Sequence, residues 1–221
     1  MHRFGGCGGC LLGLHADGAM AALADVYRIV HWPALGVTDA DAEVDVAVVE
    51  GSVSTPGERD RLGRLRARAG CLVALGLCAT AGGPQLLRGF ASDGADWSAP
   101  IGAAVPEPRD LPVPVGGLVR VDHGLWGCPA EPRRVVAVLR QLAGGVVPAA
   151  ERRPVCAQCK LAGASCLWVT QGVPCLGPVT RAGCGGLCPR HARACYGCFG
   201  PVEEPAAVAF AASRARLRAA R

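Results

Sequence analysis

Apolar positions along this chain follow two regimes. Up to about residue 150, short β-branched runs alternate with stretches of helical spacing. Val44–Val49, interrupted only by Asp45, reads as a strand buried on both faces. Cys71–Leu77 reads as a second buried strand and Leu118–Val121 as a third. Met20, Leu23, Val26, Tyr27 and Val30 recur at helical spacing and predict a helix within Ala19–Val30. Thr55-Pro56-Gly57-Glu58 offers a capping residue, a proline at the first helical position and a glutamate three residues on. That helix runs into Arg59–Arg68, a basic and solvated stretch, and Pro132–Leu142 predicts another helix. Strand and helix in alternation give a parallel sheet covered on both faces, so the fold class is α/β, a flavodoxin-like domain over residues 1–150.

The second regime has almost no periodicity. Eight cysteines fall within the 43 residues from Cys156 to Cys198, among glycines and prolines. Such a segment has too little apolar surface for a core of its own, and inorganic centres must organise it. Residues 151–204 are therefore expected to form a cysteine-rich, mostly irregular domain. Residues 205–221, alanine-rich with a basic end, are expected to form a short helix or solvated tail.

Composition narrows the chemistry. Aromatics make up only 5% of the 221 residues, so the core is aliphatic. A net charge of +5, spread along the chain, is too mild for a nucleic-acid binder. No apolar run reaches the ~20 residues that span a bilayer. The opening MHRFGGCGGC has no apolar signal core and no twin arginine, which predicts a cytoplasmic chain. In that reducing compartment thirteen cysteines point to metal ligation rather than disulfides.

Four cysteines lie in the first regime. Cys7 and Cys10 form a CxxC after the short segment His2–Phe4, Cys78 follows the second strand, and Cys128 sits in Gly127-Cys128-Pro129 before a helix. Open α/β sheets bind ligands in loops beyond the carboxyl ends of their strands, so all four are candidates for one site. Glu50, at the end of the first long strand, projects to the same edge, as a site carboxylate or as a plain capping or ion-pairing one. A thioredoxin-like redox pair would leave Cys78 and Cys128 without a role. Cys71, at the start of a buried strand, reads as a small hydrophobe. The other eight thiols have the spacing Cys156-x2-Cys159-x6-Cys166-x8-Cys175 and Cys184-x3-Cys188-x6-Cys195-x2-Cys198. Two sets of four thiolates suit tetrahedral zinc or four-iron clusters, and spacing alone leaves both open.

The segments Val44–Val53, Val73–Ala79 and Gly127-Cys128-Pro129 resemble the small subunits of nickel–iron hydrogenases and, more distantly, the cluster-bearing subunit of respiratory complex I. Pro174–Cys184, Cys188-Pro189 and Cys195–Pro201 are similar to the delta subunits of cytoplasmic, NADP-linked sulfhydrogenases, and the complex I relative lacks this tail. The resemblance runs from Cys7 to about Pro201. It implies three [4Fe-4S] clusters: a proximal one on Cys7, Cys10, Cys78 and Cys128; a medial one on Cys184, Cys188, Cys195 and Cys198; and a distal one on Cys156, Cys159, Cys166 and Cys175. Cys156 stands where periplasmic relatives use a histidine. The resemblance further implies electron transfer between a nickel–iron large subunit and flavin-bearing, NAD(P)-linked partners, with no nickel on this chain. Two departures stand out: the opening strand is nearly missing, and Gly127-Cys128-Pro129-Ala130 lacks the second proline common in relatives.

Overall fold

In the computed structural model, residues 1–16, 18–90, 110–203, 210–212 and 215 are described. They fall into two compact units, Met1–Val146 and Val147–Arg221. The first unit is built on a parallel sheet of four strands in the order β1 (His2–Arg3), β4 (Val44–Glu50), β5 (Ala69–Leu75) and β6 (His123–Leu125). A small antiparallel hairpin, β2 (His31–Trp32) with β3 (Val37–Thr38), lies beside β1. There the Met1 amino group donates to the His31 carbonyl at 2.7 Å, and the His2 and His31 rings stack at 4.3 Å. Counting the hairpin as the second strand, the order is that of a doubly wound sheet. The short β1 leaves this edge held by those contacts rather than by a ladder.

Both faces of the sheet are covered. Helices α1 (Gly9–Ala16) and α4 (Pro132–Ala143) bury Leu14, Val135 and Leu139 against Val48, Val73 and Leu75. On the opposite face α2 (Pro56–Arg68) buries Leu62 and Leu65 against Ala47, Val49 and Leu72. The expected capping box starts α2: Thr55 Oγ1 accepts from Glu58 N–H, and the Glu58 carboxylate accepts from Thr55 N–H.

Three expectations are corrected. Ala19–Val30 forms no α-helix. One 3-10 turn, Ala21–Leu23, stands there, and bonds such as Leu23 N–H to Met20 O span three residues instead of four. Apolar residues three or four apart face inward in either geometry, so Leu23 is buried all the same. Leu118–Val121 is not a strand. Leu118 and Val119 close the 3-10 turn Val115–Gly117, and pairing begins at Asp122, whose carboxylate and amide bond to Leu72. The second strand ends at Leu75, two residues early, because Gly76 takes φ +81 and turns the chain into helix α3 (Gly76–Ala81). Cys78 therefore lies on that helix. Cys71 lies within β5, half-buried against the first core. Helix α1 itself follows too many glycines to be read from periodicity.

In the second unit the helices are short: α5 (Val155–Leu161), α6 (Leu167–Gln171) and α7 (Leu187–Arg190). Irregular chain joins them. Of the expected terminal helix, Phe210–Ala212 and Ala215 are described and helical, and Phe210 packs edge-on against Trp168 at 5.2 Å. The rest of 205–221 lies outside the described residues.

Candidate metal centres

The first unit gathers its four candidate thiols at the carboxyl edge of the sheet. Cys7 precedes α1, Cys10 lies in its first turn, Cys78 sits on α3 after β5, and Cys128 follows β6. Cys7 and Cys128 are exposed, Cys78 is half-buried and Cys10 is buried. Glu50 ends β4 beneath them and is only 4% exposed. Its Oε1 accepts from Cys10 N–H at 2.8 Å and its Oε2 from Leu11 N–H at 3.3 Å. These are amides of the first helical turn, which no intrahelical carbonyl satisfies. The carboxylate thus ties the CxxC loop to the strand forty residues away.

Two amides point at sulfur: Ala130 N–H at Cys10 Sγ, 3.4 Å, and Gly9 N–H at Cys7 Sγ, 3.3 Å. Burial, with the Glu50 carboxylate adding to it, pushes the Cys10 thiol up to about 12 even though the Ala130 amide opposes this. Burial and the neighbouring Cys128, Cys7 and Glu50 push Cys78 up to about 11. A thioredoxin-like pair on Cys7 and Cys10 would leave Cys78 and Cys128, which lie beside them at the same edge, without a role. Thiols of this kind become thiolates when a metal displaces their protons.

The donor set fits a cluster. Four thiols at one edge suit a four-thiolate centre, either tetrahedral zinc or a four-iron cluster. A zinc ion needs its sulfurs ~2.3 Å from one point, whereas a multi-iron cluster needs a wider ring. Backbone without side chains stands against two of these thiols: a Cβ on Gly76 would stand 2.4 Å from Cys10 Sγ, and one on Gly83 2.6 Å from Cys78 Sγ.

The second unit holds the other eight thiols. Cys156 and Cys159 lie one turn apart on α5, Cys166 caps α6, Cys175 precedes the 3-10 turn Gly177–Val179, and Cys188 lies in α7. Burial raises Cys156 to about 11, with Cys159, Cys175 and Cys166 contributing, and it raises Cys159 and Cys195 as well. A Cβ on Gly177 would meet Cys156 Sγ at 3.3 Å and Cys175 Sγ at 3.5 Å. Cys184 lies within the electrostatic reach of Cys159 and Cys195, so the Cys184 loop closes on the same region.

Sequence reasoning missed four contributors. Gln158 Oε1 accepts from Gly183 N–H at 2.9 Å and Gly185 N–H at 3.1 Å, which fastens the Cys184 loop to α5. Thr180 and the Gly197 amide both bond the Cys195 sulfur. The Ala130 amide is the fourth. A glutamine between two cysteines carries no sequence signal, and backbone amides carry none by nature.

Residues 7–142 match the family described as NADH ubiquinone oxidoreductase, 20 Kd subunit. The chain is 36% identical over 197 residues to sulfhydrogenase 2 subunit delta of Pyrococcus furiosus, covering 88% of this chain and 82% of that one. A solved NAD+-reducing [NiFe]-hydrogenase chain in the H2-reduced state matches with TM-score 0.55 and 29% identity, over 67% of this chain and 92% of that one. A [NiFeSe]-hydrogenase chain from Desulfomicrobium baculatum shares the fold over 93% of this chain and 95% of that one, with TM-score 0.60 and 17% identity. Among the described residues no helix is long and apolar enough to cross a membrane. The chain belongs to the family of the 20 kDa subunit of NADH ubiquinone oxidoreductase, and within it to the hydrogenase subunits.

Proposed function

We propose that this chain is the electron-transfer small subunit of a cytoplasmic nickel–iron hydrogenase and carries three [4Fe-4S] clusters. Cys7, Cys10, Cys78 and Cys128 hold the proximal cluster, Cys184, Cys188, Cys195 and Cys198 the medial one, and Cys156, Cys159, Cys166 and Cys175 the distal one. Bound there, the clusters supply one-electron transfer between the large subunit, which holds nickel and iron, and a flavin-bearing, NAD(P)-linked partner. The observation that carries this reading is the gathering of four thiols, from the segments that follow three parallel strands, at the edge where Glu50 ends β4 and bonds the Cys10 amide. The protein's own part is to space these ligands and set their surroundings. Glu50 fixes Cys10, Gln158 fixes the Cys184 loop, and the amides of Gly9, Ala130 and Cys195 stabilise charge on sulfur.

Two cysteine variants of the anaerobically purified complex test the assignment. Cys128→Ala damages the set next to the catalytic subunit, and both hydrogen–dye and hydrogen–NAD(P) activity collapse. Cys156→Ala damages the outermost set: hydrogen–deuterium exchange, which needs no long transfer, survives while nicotinamide reduction is largely lost. Intact nicotinamide reduction in Cys156→Ala, with iron reduced by one cluster, removes that set from the relay.

A further inference from the structure

The second unit carries an unusual charge pattern. No aspartate or glutamate occurs from Arg152 to Val202. Lys160, Arg190, His191 and Arg193 lie in this stretch, and all four are exposed. Among the described residues none of the four makes an ion pair or a side-chain hydrogen bond. Among the described residues Arg28, Arg64 and Arg133 are exposed and make no ion pair either, while Arg59 pairs with Asp110, Arg68 with Asp41 and Arg152, the first residue of this stretch, with Glu203; what sets the stretch apart is its lack of carboxylates.

Exposed cations alternate along the chain with exposed large apolar side chains, Lys160 with Leu161 and Leu187 with Arg190, Arg193 and Tyr196. Gln158 holds the Gly183–Gly185 loop on α5, and a Cβ on Gly186 would stand 3.2 Å from Cys159 N. Helix α7 therefore starts against the end of α5, which brings Leu187 and Arg190 near Lys160 and Leu161. Leu161 is 80% exposed, Leu187 54% and Tyr196 68%. Apolar side chains interleaved with unpaired charge are the make-up of a protein interface.

We propose that the surface formed by the end of α5 and the segment Leu187–Tyr196 is the docking face for a redox protein that presents an acidic patch. The proposal rests on the electron-transfer reading above and names the chemistry of the partner. Cations standing beside cluster ligands favour an electron partner over a nucleic acid or an anionic membrane, and the apolar side chains have no match on a phosphate backbone. An exposed ion pair is worth only ~0–1 kcal/mol, so these charges mainly steer encounter, which raises association rates by about 10–1,000-fold at low salt.

The test uses the full chain in complex with its large subunit and an acidic plant-type [2Fe-2S] ferredoxin as probe. Each hydrogen molecule gives up two protons and reduces two ferredoxins by one electron each. The wild-type rate constant is expected to fall at least about tenfold between roughly 0.05 and 0.5 M salt, as screening shortens the reach of the charges. Arg190→Glu with Arg193→Glu lowers the low-salt rate at least about tenfold and flattens the salt dependence. Arg190→Gln with Arg193→Gln falls between, and keeps the test open should the reversal disturb folding. Iron content and the rate with an uncharged dye stay unchanged. Equal rates and equal salt slopes in wild type and variants overturn the proposal. So do shifted cluster potentials with an unchanged ferredoxin rate, since the cations then serve only to offset cluster charge. Charge-dependent binding of the wild type to anionic vesicles or nucleic acid, with ferredoxin reduction unaffected, also overturns it. A brown complex with no charge effect refutes the docking face alone, whereas a colourless complex refutes the electron-transfer reading and the docking face with it.

Discussion

The Cys195 amide donates to the Cys175 sulfur at 3.2 Å, and the Cys195 carbonyl accepts from Leu176 N–H at 3.1 Å. These two cysteines belong to different ligand sets in the proposed partition, so the distal and medial sets share one backbone frame. With so little apolar core, neither set has a scaffold of its own to fall back on. Cys188→Ala, aimed at the medial set alone, is therefore expected to lose about eight irons rather than about four. Iron analysis with electron paramagnetic resonance decides the point. A loss of four, with the distal signal unaltered, shows that the sets fold independently.

Glu50 performs two tasks that substitution separates. Glu50→Ala leaves the buried amides of Cys10 and Leu11 without acceptors, at a cost of about 1–3 kcal/mol for each unsatisfied group. Iron from the proximal set should be depleted. Glu50→Gln keeps one carbonyl acceptor and removes the charge, so the cluster should load with a higher midpoint potential, because an anion beside a cluster disfavours the incoming electron. A redox titration that finds the same potential in Glu50→Gln and wild type rules out the electrostatic part.

Gly76 is required twice over. Its φ of +81 suits glycine, and a Cβ there would stand 2.4 Å from Cys10 Sγ. Gly76→Ala should displace Cys10 and lower proximal iron while the tail signals persist. Full iron content in this variant would mean that the Cys10 sulfur has room to move.

Asp122 sets where β6 begins. Its carboxylate accepts from Leu72 N–H at 2.8 Å and pairs with Arg66 at 2.6 Å. Burial raises its pKa, but the Leu72 and Arg66 bonds outweigh this and hold it below the usual carboxylate range. A depressed folded pKa gives stability that is present above the unfolded value of about 3.9 and is lost as pH falls through the folded one. Asp122→Asn should cost about 1–3 kcal/mol near pH 7, and the gap to wild type should narrow as the pH drops below about 4. Thermal midpoints measured across that range check it.

The sheet and the gathered thiols were legible in the sequence for different reasons. Val44–Glu50 and the capping box at Thr55–Glu58 are local signals, in which neighbouring residues dictate their own geometry. Their positions in the structure match the reading closely. Ala19–Val30 failed because three-residue and four-residue turns present the same apolar face. Leu118–Val121 failed because the strand is positioned by Asp122 bonding to Leu72, a contact fifty residues apart in the chain. At the site, cysteine types and spacing announced the thiols and the end of β4 announced Glu50. The bonds made by Gln158, Thr180 and the Ala130 amide depend on how loops fold back, which no local pattern encodes.

The most direct measurement is metal and acid-labile sulfide content in anaerobically purified complex containing this chain. Three four-iron clusters predict brown protein with about twelve irons and about twelve sulfides per chain beyond those of the partner subunits. Zinc in place of iron, without sulfide and without visible absorption, would contradict the account.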